Sequence, residues 1–400
     1  MRIAHGFIPA FVRRKKIRTT QPEERCQSFV RVLILSGNTG EGHNSCAKAI
    51  KQVFDTKCES CVIEDALRFI SDRASGIISW GHTCIYRNFP WLFNFGYSFS
   101  SKHTGVFKQK NMLYNFFGKG AENLYRFIVD GNYDTVISVH PFSALMLTEV
   151  KKRYSLSAKT AFVATDYTCS PSVKDSDLDF YFIPNEAFTD NFVCDHIPVD
   201  TIIPSGIPIR QMFYAHVEKA TAKQELGIPS DHKHIVIMCG SMGCGPIKTL
   251  VKQLLANLDE TVELTVICGR NKKLKSQLER RHKSCSHLRV FGYVDDISSL
   301  LDSADLYLTK AGGISVTEAA VKKLPMLFIN AVAGCEAYNS AFFAERGCAV
   351  KSDSSRELVA NCTALIEDRT QYDKIVAAFD TLAMRNAAEC IYDTLNGDAD

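Results

Sequence analysis

The chain alternates short apolar, β-branched runs with longer stretches of helical periodicity. Residues 29–36 (FVRVLILS) are almost all apolar, run into a glycine-rich turn and give way to a helical pattern from Asn44. A strand covered on both faces reads this way, because crossover helices shield both sides of a parallel sheet. Comparable runs at 60–63, 134–139, 160–165 and 178–183 predict four more strands, with room for helices between them. The pattern breaks at Ser205-Gly206-Ile207-Pro208. After a short helical stretch at 221–226 a second series begins, at 234–239, 262–268, 288–291, 306–309 and 326–329.

Each series opens with strand, glycine turn and helix. The first turn is Gly37-Asn38-Thr39-Gly40-Glu41-Gly42 and the second Gly240-Ser241-Met242-Gly243-Cys244-Gly245. This repetition predicts an α/β protein of two Rossmann-like domains facing each other across a cleft. The implied boundaries are 28–205 and 213–371, joined by a hinge at 206–212. A C-terminal helix over 372–400 is free to pack on either domain. Residues 1–27 read as a disordered basic arm. There Arg13, Arg14, Lys15, Lys16 and Arg18 follow the weakly apolar start instead of preceding it, the reverse of a secretory signal.

Composition narrows the function classes. The 400 residues are 46% hydrophobic and 23% charged, which excludes a disordered or coiled-coil chain. A formal charge of only +3 excludes the strongly basic surface of a nucleic-acid binder. No apolar run approaches the ~18 residues that span a bilayer. The 15 cysteines are scattered, and Cys58 and Cys61 form a lone CxxC without a matching second pair. Reduced thiols, rather than a disulfide framework or a zinc site, fit that distribution.

Glycines between a strand and a helix let backbone N–H groups approach a phosphate, so two such turns suit a diphosphate. His43 closes the first turn, where rigid elements would hold an imidazole able to accept a proton near neutral pH. Thr309-Lys310-Ala311-Gly312-Gly313 leads into another helix that carries Glu318, a carboxylate suited to two vicinal hydroxyls such as a ribose. The loop Ala333-Gly334-Cys335-Glu336-Ala337-Tyr338-Asn339 offers Glu336 and Asn339, three apart, to sugar hydroxyls. From Arg73 to Ala121 there is no Asp or Glu but six Lys or Arg, among them Lys102, Lys108 and Lys110. Phe89, Trp91, Phe93 and Phe95 crowd the same span, a composition suited to an anionic membrane surface. Asp175-Ser176-Asp177 and Asp177-Leu178-Asp179 fit a metal-holding DxD pattern but sit in a polar segment and read as a solvated loop. No metal is expected.

These motifs resemble the diacylglycerol glycosyltransferases, the family of plant monogalactosyldiacylglycerol synthase and the bacterial processive diacylglycerol glucosyltransferases. The peptidoglycan N-acetylglucosaminyltransferase is a more distant cousin. The resemblance runs from Val32 to Val350. It is carried by Thr39 to His43, Ser138-Val139-His140-Pro141, Thr165-Asp166, Gly206-Ile207-Pro208-Ile209-Arg210, Cys268-Gly269-Arg270-Asn271-Lys272-Lys273, Gly292-Tyr293-Val294-Asp295, and Thr309 through Ala319. It implies a GT-B fold, with a UDP-sugar on the C-terminal domain and a lipid acceptor on the N-terminal one. The implied reaction is inverting hexose transfer from UDP-galactose or UDP-glucose to diacylglycerol, at the inner face of the cell membrane, with no cofactor.

By the same resemblance Gly240, Ser241 and Gly243 touch the diphosphate and Glu318 the ribose. Glu336 and Asn339 lie near the sugar, and Arg270, Lys310, Gly312 and Gly313 complete the donor set. Gly40 and Gly42 belong to the acceptor loop, and His43 is the base, with Asp166 the next candidate. Two departures stand out. Glu41 replaces a common glycine, and Cys335 replaces a glutamine of the sugar loop, so the donor's identity is open. The alternatives are N-acetylglucosaminyl transfer to a polyprenyl-linked acceptor and a catalytically silent lipid-binding protein on the same scaffold.

Overall fold

The computed structural model describes residues 30–37, 40–57, 59–71, 76, 116, 118–194, 196–329 and 334–397. The basic arm 1–27 lies outside them. So do Phe89, Trp91, Phe93, Phe95, Lys102, Lys108 and Lys110 of the expected membrane-facing span.

Two six-stranded parallel sheets form the frame. The first contains β1 (Arg31–Ser36), β2 (Ser60–Asp65), β3 (Thr135–Ser138), β4 (Lys159–Val163), β5 (Phe180–Phe182) and β6 (Ile202–Ile203), in the order β2-β1-β3-β4-β5-β6. The second contains β7 (Lys233–Met238), β8 (Val262–Ile267), β9 (Leu288–Phe291), β10 (Leu306–Thr309), β11 (Met326–Phe328) and β12 (Ala349–Lys351), in the order β12-β11-β10-β7-β8-β9. The two-domain α/β reading therefore holds. The apolar runs became strands because burial on both faces leaves no polar side to alternate: Val32 to Leu35 and Ile235 to Ile237 are fully buried.

Helices cover the sheets. Those that matter below are α1 (Glu41–Thr56), α2 (Ala121–Asp130), α3 (Pro141–Arg153), α4 (Lys219–Glu225), α5 (Ile247–Asn257), α6 (Lys272–Arg281), α7 (Ser298–Ser303), α8 (Gly313–Val321), α9 (Cys335–Glu345), α10 (Ser355–Glu367), α11 (Arg369–Ala378) and α12 (Ala387–Asn396). Helix α1 begins three residues before the expected Asn44, putting the Glu41 carboxylate in its first turn, where the helix dipole favours an anion.

The single C-terminal helix expected over 372–400 is two. Helix α11 stays beside α10 on the second domain, whereas α12 crosses back and packs on α1 of the first. There Tyr392 meets Phe54 edge-on at 5.0 Å, Glu389 pairs with Lys57, and Lys159 Nζ donates to the Leu395 carbonyl. The domains are thus joined by two crossings. Gln211 on the first and Asn386 on the second exchange reciprocal amide hydrogen bonds of 3.2 and 2.8 Å. No helix among the described residues is long and apolar enough to cross a membrane.

Candidate functional site

In a parallel sheet ligands collect outside the carboxyl ends of the strands, where the strand order reverses. The first sheet reverses between β1 and β3 and the second between β7 and β10. The turns after these four strands carry most of the residues singled out above.

In the first domain the turn after β1 delivers His43 in the opening turn of α1. Its Nδ1 lies 2.8 Å from the carbonyl of Val139, just past β3, and 3.2 Å from Thr165 Oγ1. A carbonyl can only accept, so Nδ1 carries the proton and Nε2 is the basic nitrogen of the neutral ring. The ring also rests against His140, with centroids 4.5 Å apart. These three contacts fix both tautomer and orientation, as a general base requires. Val139, His140 and Thr165 were present in the matching motifs but carried no sign of this shared task, because they meet His43 only through the fold.

In the second domain the turn after β7 is pinned against the turn after β8. Arg270 N–H donates to the Ser241 carbonyl at 2.8 Å, and Asn271 Nδ2 to the Gly243 carbonyl at 3.2 Å. Gly243 has φ +55°, and a Cβ there would lie 2.3 Å from the Cys268 carbonyl oxygen, so only glycine fits. The Lys310 stem lies over Gly240, and its ammonium binds Glu336 Oε1 at 2.6 Å. A cation and a ring of backbone groups thus share the mouth of β7 and β10, the arrangement that suits a diphosphate.

Gly312 caps α8 and Gly313 begins it. One turn later on the same face as Ile314 comes Glu318, 5% exposed. Burial pushes its carboxyl up to about 8, opposed by the charge of Arg210, and no hydrogen bond holds it among the described residues. A buried acid without a donor is costly unless a ligand supplies one. Ile314 sits 3.6 Å from where a Cβ on Gly42 would lie, so the start of α1 and the start of α8 face one another. The helix that carries His43 and the helix that carries Glu318 are therefore neighbours across the domain boundary.

The two domains are clasped at Asp166. Asn339 Nδ2 donates to Asp166 Oδ1 at 2.7 Å and to the Ala311 carbonyl at 2.8 Å, while its Oδ1 accepts from Tyr167 N–H at 2.6 Å. Gly313 admits the Asp166 turn because it has no side chain: a Cβ would stand 2.0 Å from the Thr165 carbonyl oxygen. Tyr167 then stacks on Phe342 at 4.5 Å and hydrogen-bonds Thr317. Burial lifts Asp166 to about 6 against the lowering effect of Asn339. Asn339, expected near the sugar, is fully buried, and both of its amide hydrogens are committed, one to each domain.

Arg270, expected among the donor residues, forms an ion pair across the cleft with Glu41 and lies 5.7 Å over the Tyr293 ring. Among the described residues nothing lies within 4 Å of where a Cβ on Gly40 would stand. Of the DxD aspartates, Asp179 is committed to Lys151 and to the N–H and hydroxyl of Thr160, fastening the starts of β4 and β5. Among the described residues no cluster of His, Cys, Asp or Glu is arranged to hold a metal.

Comparison with known proteins agrees with this geometry. The sequence model of the monogalactosyldiacylglycerol (MGDG) synthase family matches residues 43–209. That of the glycosyltransferase family 28 C-terminal domain matches residues 234–389. A processive diacylglycerol beta-glucosyltransferase of Bacillus mycoides is 27% identical over 384 residues, covering 91% of this chain and 93% of the relative. Its Bacillus licheniformis counterpart is 26% identical over 370 residues, covering 90% and 93%. Among solved structures, Acinetobacter baumannii MurG superposes with a TM-score of 0.59 at 13% identity, covering 92% of this chain and all of that one. The S. aureus MnaA–UDP structure gives 0.61 at 14% identity, covering 92% and 96%. These likenesses show the GT-B architecture. The turn carrying His43 thus falls in an MGDG-synthase match and the helix carrying Glu318 in a family 28 match, and along about nine-tenths of its length the chain is similar to processive diacylglycerol beta-glucosyltransferases.

Proposed function

We propose that this chain transfers a hexose from a UDP-sugar to the free hydroxyl of diacylglycerol, with inversion at the anomeric carbon and without a metal. The observation that carries this reading is the apposition of the starts of α1 and α8, where Gly42 faces Ile314. His43 stands at the switch point of one sheet, and Lys310, Gly240 and Glu318 stand at that of the other. UDP-glucose is the first donor to try, because the curated relatives named above are beta-glucosyltransferases. A UDP-hexose is α-linked, so a β-linked product means attack from the face opposite UDP.

In this mechanism the acceptor hydroxyl hydrogen-bonds to His43 Nε2 and gives up its proton as its oxygen attacks the anomeric carbon. The bond to the diphosphate breaks, and its negative charge is met by Lys310 and by the backbone of the 240–245 turn. Glu318 receives the ribose hydroxyls. The acidic-residue-free aromatic span, 73–121, holds the enzyme against the inner leaflet of the membrane.

The test is incubation with diacylglycerol vesicles and UDP-glucose, UDP-galactose or UDP-N-acetylglucosamine, reading glycolipid by mass spectrometry and the anomeric configuration by NMR. A β-hexosyl diacylglycerol supports the reading. Transfer only of N-acetylglucosamine, release of free sugar alone, or an α-linked product overturns it.

A further inference from the structure

We propose that Asn339 is a positioning residue for Asp166: it does not read a donor hydroxyl but holds the first domain's carboxylate at the mouth of the second domain's site. The carboxylate and its side-chain donor are thereby supplied by different halves of the molecule. The inference rests on the transferase reading above and assigns Asn339 a task different from the one its place in the sugar loop implies.

Three observations converge. First, a side-chain amide has two N–H donors, and Asn339 spends one on Asp166 Oδ1 and one on the Ala311 carbonyl, at 2.7 and 2.8 Å. Neither is left for a sugar, and the residue is fully buried. Second, the two polar residues of the loop, Glu336 and Asn339, lie a turn apart on α9 and serve different charges. Glu336 takes the Lys310 ammonium, whereas Asn339 takes the Asp166 carboxylate. Third, the backbone around Asp166 is locked. Tyr167 is stacked on Phe342 and bonded to Asn339, and the start of α8 at Gly313 presses on the Thr165 carbonyl and gives its N–H to Asp166.

The charged groups facing Asp166 are Glu336 and Lys310, both from the second domain. On its own side, the neighbouring residue Thr165 contacts His43 Nδ1 through its hydroxyl. With Asn339 removed, the Asp166 carboxylate loses a donor that favours its charged form while the opposing Glu336 remains. Its ionisation midpoint therefore rises.

Two measurements decide the matter. The carboxyl resonance of Asp166, identified as the 13C signal lost in Asp166→Asn, is titrated in the wild type and in Asn339→Ala. The midpoint should rise by roughly one pH unit in the variant; an unmoved midpoint overturns the proposal. Steady-state transfer is then measured in a double-mutant cycle. Asn339→Ala should lower kcat roughly tenfold to a hundredfold, leave the donor KM within about threefold, and cost nothing further once Asp166 is already Asn. A loss that appears in the donor KM, or that adds in full to Asp166→Asn, returns Asn339 to the sugar or to a merely structural role. Should Asn339→Ala fail to fold, Asn339→Leu, similar in shape and without a donor, carries the same measurements. If the wild type transfers no hexose, the transferase reading fails alone, because the carboxyl titration needs no substrate.

Discussion

Both domains lead a buried strand into a helix through a glycine-rich turn, and the two turns are finished differently. In the first, the His140 ring lies against Gly37, where a Cβ would stand 2.7 Å from it. Gly40 then enters α1 in extended backbone, φ 177°, with open space around it. In the second, Gly240, Gly243 and Gly245 all take positive φ, 67°, 55° and 116°, and α5 starts only after Pro246. The first turn has a ring packed against its opening glycine and delivers an imidazole. The second winds through left-handed glycines and carries the Lys310 stem over the first of them. One supersecondary unit thus serves proton transfer on one side of the cleft and anion binding on the other, and local packing decides which.

The sharpest way to break this contrast is His43→Ala. If the first turn exists to present a base, turnover should fall ~10²–10⁴-fold while UDP-glucose binding, measured by calorimetry, is unchanged. Turnover within tenfold of the wild type would move the base to Asp166. The next effect in size compares two alanine substitutions. Gly243→Ala forces a left-handed residue against the Cys268 carbonyl and should cost roughly 1–3 kcal/mol of stability, with weakened donor binding. Gly40→Ala should stay within about 0.5 kcal/mol in the same thermal melts. Equal losses at the two sites would show that the turns are built alike after all.

The pH dependence of donor binding sharpens the second side further. Glu318, pushed up to about 8 by burial, is protonated in the empty site at pH 7. Ribose hydroxyls donating to it favour the ionised form, so its pKa falls on binding and a proton is released. Affinity for UDP-glucose should therefore climb as pH rises from 6 to 8, by up to about tenfold per unit, and level off above 8. Calorimetry in buffers of different ionisation enthalpy reads both the slope and the proton. Glu318→Gln should give a flat profile, and a sloping one would assign the effect to another group.

Much of this was legible before the fold was known, and the gaps have physical causes. Long apolar runs such as 29–36 and 234–239 announced central strands because a strand buried on both faces has no alternation to confuse. Ile202–Ile203 and Ala349–Lys351 sit at sheet edges and are too short for any period to show. The break between α11 and α12 was invisible because the chain there contains neither glycine nor proline. Ala383 adopts the left-handed conformation instead, at φ 46°. Motif spacing expected His43 at the junction of the first glycine turn and its helix, and Glu318 about a turn into the helix after Lys310, and the elements fall there. It gave no sign of Asn339's partners Asp166 and Tyr167, which are more than 170 residues away and reach it only through domain docking.

The smallest expected effect concerns the ion pair between Glu41 and Arg270, which joins the first turn to the turn after β8 that braces the second. Arg270 is more than half exposed, so the pair's own contribution is at most about 1 kcal/mol and is screened by salt. Its interest lies in what Arg270 does when released. If the cation is shared between the Glu41 carboxylate and an incoming diphosphate, Glu41→Gln should tighten UDP-glucose binding by up to about fivefold at low ionic strength, the difference fading by roughly 0.5 M salt. Arg270→Ala should weaken binding in both backgrounds. If Glu41→Gln weakens binding instead, the carboxylate is aiming Arg270 at the ligand. The first turn, in delivering an acid as well as an imidazole, would then be part of the donor site, and the division of labour between the two turns would have to be redrawn.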